Sequence, residues 1–134
     1  MLANKKESVP SVSQKKRVLV IDDDKAVLES LSKVLERNGY LVDSAVTGKE
    51  AIEKCKTKSY DVALIDLKLP DMEGIEVLAK AKLPHAVKIM LTGYPSLVSG
   101  VRAMDEGVDS YLSKPVRPEE LVLLIKSKLK TKRQ

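Results

Sequence analysis

Between Asp61 and Asp66 the chain runs Val62-Ala63-Leu64-Ile65, four apolar residues in succession with no polar residue among them. A strand of that kind has no side to offer to water, so it must lie inside a sheet covered on both faces. The run stops on a carboxylate, and Pro70 and Gly74 then open a loop. Asp66 is therefore expected to project from the strand's C-terminal end into the crevice where open parallel sheets bind ligands. Taken alone, such an aspartate reads as the point where a strand meets water. The rest of the chain changes that reading.

Four more runs of β type alternate with segments of helical period. Arg17-Val18-Leu19-Val20-Ile21 is a second fully apolar strand and ends in Asp22-Asp23-Asp24. From Ala26 the period becomes helical, with Val27, Leu31, Val34 and Leu35 on one face and Asn38-Gly39 as the left-handed stop. Residues 40–46 form a more polar strand, expected nearer a sheet edge, and residues 48–58 a short helix carrying Ala51, Ile52 and Cys55. After the 61–66 strand, a helix over about 73–82 should face Ile75, Leu78 and Ala79 inward. Residues 86–91 make the fourth strand, ending in Thr92-Gly93-Tyr94-Pro95, and Leu97, Val101 and Met104 mark a fourth helix stopped by Gly107. Residues 109–113 form a short fifth strand ending in Lys114-Pro115. Pro118, Glu119 and Glu120 start a last helix with Leu121, Val122, Ile125 and Leu129 buried.

Five strands alternating with five helices describe a parallel sheet with helices on both faces. Right-handed crossovers bring every strand's C-terminal end to the same edge. That edge collects Asp22, Asp23, Asp24, Asp66, Thr92 and Lys114. Two carboxylates about 4 Å apart repel by roughly 4 kcal/mol at an effective dielectric of 20. Lys114 can neutralise only one of the charges, so a divalent cation among the acids is the economical solution. A few hard oxygen ligands suit Mg²⁺, or Mn²⁺ in its place, sharing its shell with phosphate oxygens. The matching chemistry is phosphoryl transfer, with a carboxylate nucleophile becoming an acyl phosphate while a metal at Asp23, the Lys114 ammonium and the Thr92 hydroxyl take up charge.

Composition narrows the alternatives. At 134 residues, 43% hydrophobic and 32% charged, the chain has room for one domain with a real core, which must be aliphatic because Trp and Phe are absent. No apolar run reaches the roughly 18 residues of a membrane span and no signal-like leader stands at the start, so a cytoplasmic protein is expected. Cys55 is the single cysteine and belongs to a helix core face; His85, in the Leu83-Pro84-His85 turn, is the single histidine, which rules out His-rich metal sites. Residues 1–17 carry five basic groups and one acid, and residues 126–134 five basic groups, so within the total of +5 the span 18–125 is net −4. Basic ends on an acidic body are not a nucleic-acid face.

The run Val18 to Asp24, the Asp66…Pro70…Gly74 spacing, Thr92-Gly93 and Tyr111-Leu112-Ser113-Lys114-Pro115 together resemble the receiver domain of two-component response regulators. The resemblance covers about residues 16–130. It implies a flavodoxin-like (βα)5 three-layer α/β sandwich with strand order 2-1-3-4-5, an order taken from the family. It implies that Asp66 is the phosphoacceptor, fed by a histidine kinase, a phosphotransfer protein or a small phosphodonor. Asp23 is the implied direct ligand of Mg²⁺ and Asp22 acts mainly through water, with the Asp66 carboxylate and the Lys68 backbone carbonyl completing the set. Thr92 and Lys114 are implied to contact the phosphoryl oxygens, the Lys114–Pro115 bond to be cis, and Tyr111 to swing inward as Thr92 moves toward the phosphate. Tyr94 and Lys68 flank the pocket where the family tunes acyl-phosphate lifetime.

Other readings remain beside these. Asp24 is expected to cap the first helix, and Asp71 and Glu73 are expected to be loop charges capping the third. Tyr111 alone reads as half-buried packing. An aspartyl phosphatase of the haloacid dehalogenase type would place Thr or Val where this chain has Ala26, and a flavodoxin-like cofactor binder needs a phosphate-cradling loop where three aspartates stand. The expected organisation is a polar, disordered segment 1–16, a receiver domain 17–130 and a basic tail 131–134. Nineteen residues follow Pro115, enough for one helix and a tail. The chain is expected to act as a stand-alone receiver or as the receiver part of a longer, for example transcriptional, regulator. It should assist its own phosphorylation and dephosphorylation without turning over a separate substrate. Partners are expected on the helix 4–strand 5–helix 5 face, as a downstream protein or a second copy, with no direct nucleic-acid binding and no membrane insertion.

Overall fold

The computed structural model describes residues 14–93 and 107–132. Among them the order is β1 (Arg17–Ile21), α1 (Lys25–Arg37), β2 (Leu41–Ala45), α2 (Gly48–Thr57), β3 (Val62–Asp66), α3 (Gly74–Lys80), β4 (Val87–Thr92), β5 (Ser110–Ser113) and a C-terminal helix, Pro118–Lys132. The fourth helix expected around Leu97, Val101 and Met104 lies outside the described residues, as does Tyr94. The strands form one sheet in the order β2-β1-β3-β4-β5, and every pairing is parallel. This is the flavodoxin-like arrangement.

Period-2 alternation divides the strands between two cores. Val18, Val20, Val62, Leu64, Ile89 and Leu91 face Leu28, Leu31 and Leu35 of α1 and Leu121 and Ile125 of the C-terminal helix. Leu19, Ile21, Ala63, Ile65 and Met90 face Ala51 and Cys55 of α2 and Ile75, Val77 and Leu78 of α3. All five residues of β3 are buried, which accounts for its unbroken apolar run. Each such aliphatic side chain contributes roughly 1.5–3 kcal/mol by leaving water.

Local signals set the helix ends. Asp24 Oδ1 accepts from the N–H groups of Ala26 (2.9 Å) and Val27 (3.3 Å), capping α1. Gly39, at φ +90°, provides the left-handed stop. Two helix faces differ from the expected ones. In α1 the buried residues are Leu28, Leu31 and Leu35, with Val27 and Val34 half-buried. Leu31 and Leu35 are buried as expected, and packing on the sheet adds Leu28 where Val27 and Val34 were expected. In α3, Ala79 is exposed and Val77 is fully buried, because this short helix turns its Val77 side toward the start of α2.

β2 is the edge strand next to β1 and carries a polar cluster. The Tyr60 hydroxyl donates to Asp43 Oδ2 at 2.7 Å, Lys58 Nζ donates to the same oxygen at 3.1 Å, and Lys54 Nζ donates to the Ser44 carbonyl. Lysines along an open edge discourage pairing with another strand. Burial pushes the Asp43 carboxyl up, but the bonds from Tyr60 and Lys58 prevail and hold it below its ordinary 3.8. A carboxyl depressed on folding contributes stability above its unfolded value and loses it as pH falls through the folded one. Tyr60→Phe should therefore lower stability at pH 7 by about 1 kcal/mol. In urea titrations across pH, the gap to the wild type should narrow below 3.8; a gap that stays constant would exclude Asp43 as its origin.

Candidate functional site

The sheet register brings the acids together. Ile21 of β1 is level with Ile65 of β3, so Asp22 and Asp66, the next residues, leave adjacent strands side by side. Neighbouring strands lie about 4.8 Å apart, a separation at which two carboxylates share one site. Across the next pair Asp66 is level with Leu91 and Thr92 with Ser113. The exits of β4 and β5 thus deliver Thr92 and Lys114 to the same edge.

One carboxylate oxygen from each of Asp22, Asp23 and Asp66 lies within 4.8 Å of the others. Asp22 is fully buried, Asp66 is 9% exposed and Thr92 3%, while Asp23 faces solvent. Lys114 Nζ approaches Asp22 Oδ2 to 2.7 Å and Asp66 Oδ2 to 3.2 Å. The contact to Asp66 is a directed hydrogen bond; that to Asp22 is a charge contact outside hydrogen-bond geometry. The second oxygens are held by the backbone, Asp22 Oδ1 by the Asp24 N–H at 2.9 Å and Asp66 Oδ1 by the Lys68 N–H at 3.3 Å. The Lys114–Pro115 peptide is cis. Asp66, Leu67, Lys68, Thr92, Gly93 and Lys114 line a cleft of about 230 Å³. A larger, mostly apolar groove of about 490 Å³ runs between α1 and the Lys114–Val116 segment and holds no acid.

Burial, and then the charge of Asp22, raise the Asp66 carboxyl above its ordinary 3.8, against the opposing pull of Lys114. Burial draws the Lys114 ammonium down, but Asp22 and Asp66 outweigh it and hold the group above its ordinary 10.5. Among the described residues three carboxylates gather around one point with one ammonium against two of them, and hard oxygen donors in that number and charge fit a small divalent cation.

Tyr111 stands on β5 level with Met90, half-buried against the core on the α2–α3 side. Glu73 occupies the N-cap position of α3 and makes no side-chain cap bond there. Asp71 corrects the expectation more sharply. It caps α2, accepting from the N–H groups of Gly48 (2.8 Å) and Lys49 (2.9 Å). Nothing local in the sequence joins residues 23 positions apart; only their shared sheet edge could have pointed to the contact.

A family model of the response regulator receiver domain matches residues 18–126. The chain belongs to the response regulator receiver domain family. Receiver domains are the signalling domains of two-component systems rather than classical enzymes. This one is 44% identical to the receiver domain protein of Methanospirillum hungatei, a structure that superposes with a TM-score of 0.86 over 90% of this chain and 98% of that one. A response regulator of Burkholderia pseudomallei, solved with a phosphorylated aspartic acid, a calcium ion and citrate, is 31% identical with a TM-score of 0.79, covering 87% of this chain and 70% of that one. Among curated proteins, the transcriptional regulatory protein ResD of Bacillus subtilis is 37% identical over 115 residues, 85% of this chain and 48% of that protein. The cell cycle response regulator CtrA of Brucella ovis is 36% identical over 111 residues, 81% of this chain and again 48% of that protein. The receiver chain therefore spans about half the length of these relatives. Among its described residues no helix is long and apolar enough to cross a membrane.

Proposed function

We propose that the chain is a phosphorylation-dependent switch in which Asp66 accepts a phosphoryl group from a histidine kinase, a phosphotransfer protein or a small phosphodonor. The observation that carries this reading is the convergence of Asp22, Asp23 and Asp66 on one point with Lys114 against Asp66. The Asp66 carboxylate is the nucleophile: its oxygen bonds to phosphorus as the donor's leaving group departs. Lys114, already at that oxygen, and the Thr92 hydroxyl hold the phosphoryl oxygens. Asp22, Asp23, Asp66 and the Lys68 carbonyl hold Mg²⁺ or Mn²⁺, which when bound neutralises charge gathering on the transferring group. The phosphorylated aspartate and calcium ion of the Burkholderia protein support the assignment.

Thr92 then moves toward the phosphate and Tyr111 turns inward, a two-state element biased by one charge event. Its output is altered binding of a downstream protein or of a second copy on the face formed by the predicted fourth helix, β5 and the C-terminal helix. Residues 17–130 are the domain that does this, in the cytoplasm, without contacting nucleic acid or entering a membrane. The chain acts as a stand-alone receiver or as the receiver of a longer regulator, as in the transcriptional ResD.

The test is incubation with Mg²⁺ and acetyl phosphate followed by intact-mass measurement. The wild type should gain one phosphoryl group and Asp66→Asn none. A gain in both proteins would remove Asp66 as the acceptor, and no gain in either would remove the reading altogether.

A further inference from the structure

The loop from Leu67 to Gly74 is closed on itself. The Leu69 N–H donates to the Met72 carbonyl at 3.1 Å and the Gly74 N–H to the Leu67 carbonyl at 2.6 Å, with Lys68 bridged antiparallel to Glu73. Leu69-Pro70-Asp71-Met72 is the tip of this small hairpin, and Lys68 lies on its outgoing arm, next to Asp66. The tip does not end in solvent. Both Asp71 carboxylate oxygens are used, one on Gly48 and the other on Lys49, the first residues of α2. Beside them Met72 lies so close to Gly48 that a Cβ there would stand 2.5 Å from its Cγ. The hairpin is thereby fastened at its base to β3 and at its tip to a helix that carries none of the site residues.

We infer that Asp71 is a positioning residue for the cation site: by clamping the hairpin tip to α2, it fixes the arm that presents the Lys68 carbonyl beside Asp66. A backbone ligand has no rotamer to adjust, so its aim is set by whatever holds the loop, and groups that orient a metal's ligands affect affinity nearly as much as the ligands themselves. The two bonds from α2 also hold the Asp71 carboxyl below its ordinary 3.8, as expected for a permanently charged clamp. The inference rests on the proposed cation site and adds to it a residue that neither touches the ion nor the phosphoryl group.

The experiment is calorimetric titration of the folded, full chain with MgCl₂. Asp71→Ala should weaken Mg²⁺ binding by about tenfold, and Asp71→Asn, which keeps one accepting oxygen, should fall between it and the wild type. Tyr60→Phe, in the loop between α2 and β3 and bonded to Asp43 of the edge strand, serves as the comparison for lost stability alone and should leave the affinity within about twofold of wild type. Wild-type binding with an unchanged Asp71→Ala affinity would overturn the inference and leave the proposed site standing. Equal weakening in Asp71→Ala and Tyr60→Phe would overturn it too, by showing that affinity follows stability. No Mg²⁺ binding by the wild type would overturn the proposed site, and the inference with it.

Discussion

Lys114→Ala is expected to cost about 3 kcal/mol of stability at neutral pH, much of it regained when Mg²⁺ is added. The ammonium lies 2.7 Å from one buried carboxylate and 3.2 Å from another. Removing it leaves two adjacent anions with no counter-charge, and truncating one partner of a buried pair costs more than the pair contributes. The pH dependence follows from Asp66. Its carboxyl is already raised above 3.8 by burial and by Asp22, and loss of Lys114 raises it further. An acid raised on folding is fully stabilising below its unfolded value and loses that contribution as pH rises through the folded one. The penalty should therefore be largest near pH 7 and should shrink as pH falls toward 3.8. Mg²⁺ at about a hundredfold over its dissociation constant adds roughly 2.7 kcal/mol to a protein that binds it only when folded, and more in the variant if the cation takes over the missing charge. Urea titrations with and without MgCl₂ at three pH values read all of this. A variant as stable as the wild type at pH 7 would mean that the carboxylates are neutralised by something other than Lys114.

The site was legible wherever chemistry and strand register coincide. Asp22 and Asp66 each end an unbroken apolar run, so a parallel sheet had to bring them to one edge together with Thr92 and Lys114; that their two strands are neighbours came from the family's strand order. Periodicity also found every described strand, since runs such as Val18–Ile21 leave no other way to bury themselves. It was weaker on helices. Beside Leu31 and Leu35, a 3.6-residue period admits Val27 and Val34 as readily as Leu28, and only the neighbouring sheet chooses between them. In α3 it favoured Ala79, whereas Val77 is buried because α2 lies on that side. Asp71 was misassigned for the same reason. Three residues before Gly74 it looks like a cap for α3, yet its partners are the first N–H groups of α2. Contacts between elements far apart in sequence leave no local trace, and those are what hold the site's loop in place.

Gly74→Ala separates a local effect from a tertiary one by its sign. Gly74 is the first residue of α3 and its φ is not in the left-handed region. Helix propensity alone would make alanine there better by about 1 kcal/mol. The surroundings forbid it. A Cβ would press on the Asp66 carbonyl oxygen, with Ile65 Cγ2 at 3.0 Å and the Asp66 carbonyl carbon at 3.2 Å. A methyl group meeting backbone in a buried strand cannot be accommodated by a rotamer change, so either β3 or the 67–74 hairpin must shift. Overpacking of that kind costs about 3 kcal/mol, leaving a net loss of about 2 kcal/mol after the propensity gain. The atom pushed belongs to Asp66, so the displacement reaches the proposed phosphoacceptor, and acetyl phosphate labelling should slow together with the fall in urea midpoint. An alanine variant more stable than the wild type would show that the hairpin yields freely. The close approach of Gly74 to Asp66 would then have no part in aiming the carboxylate.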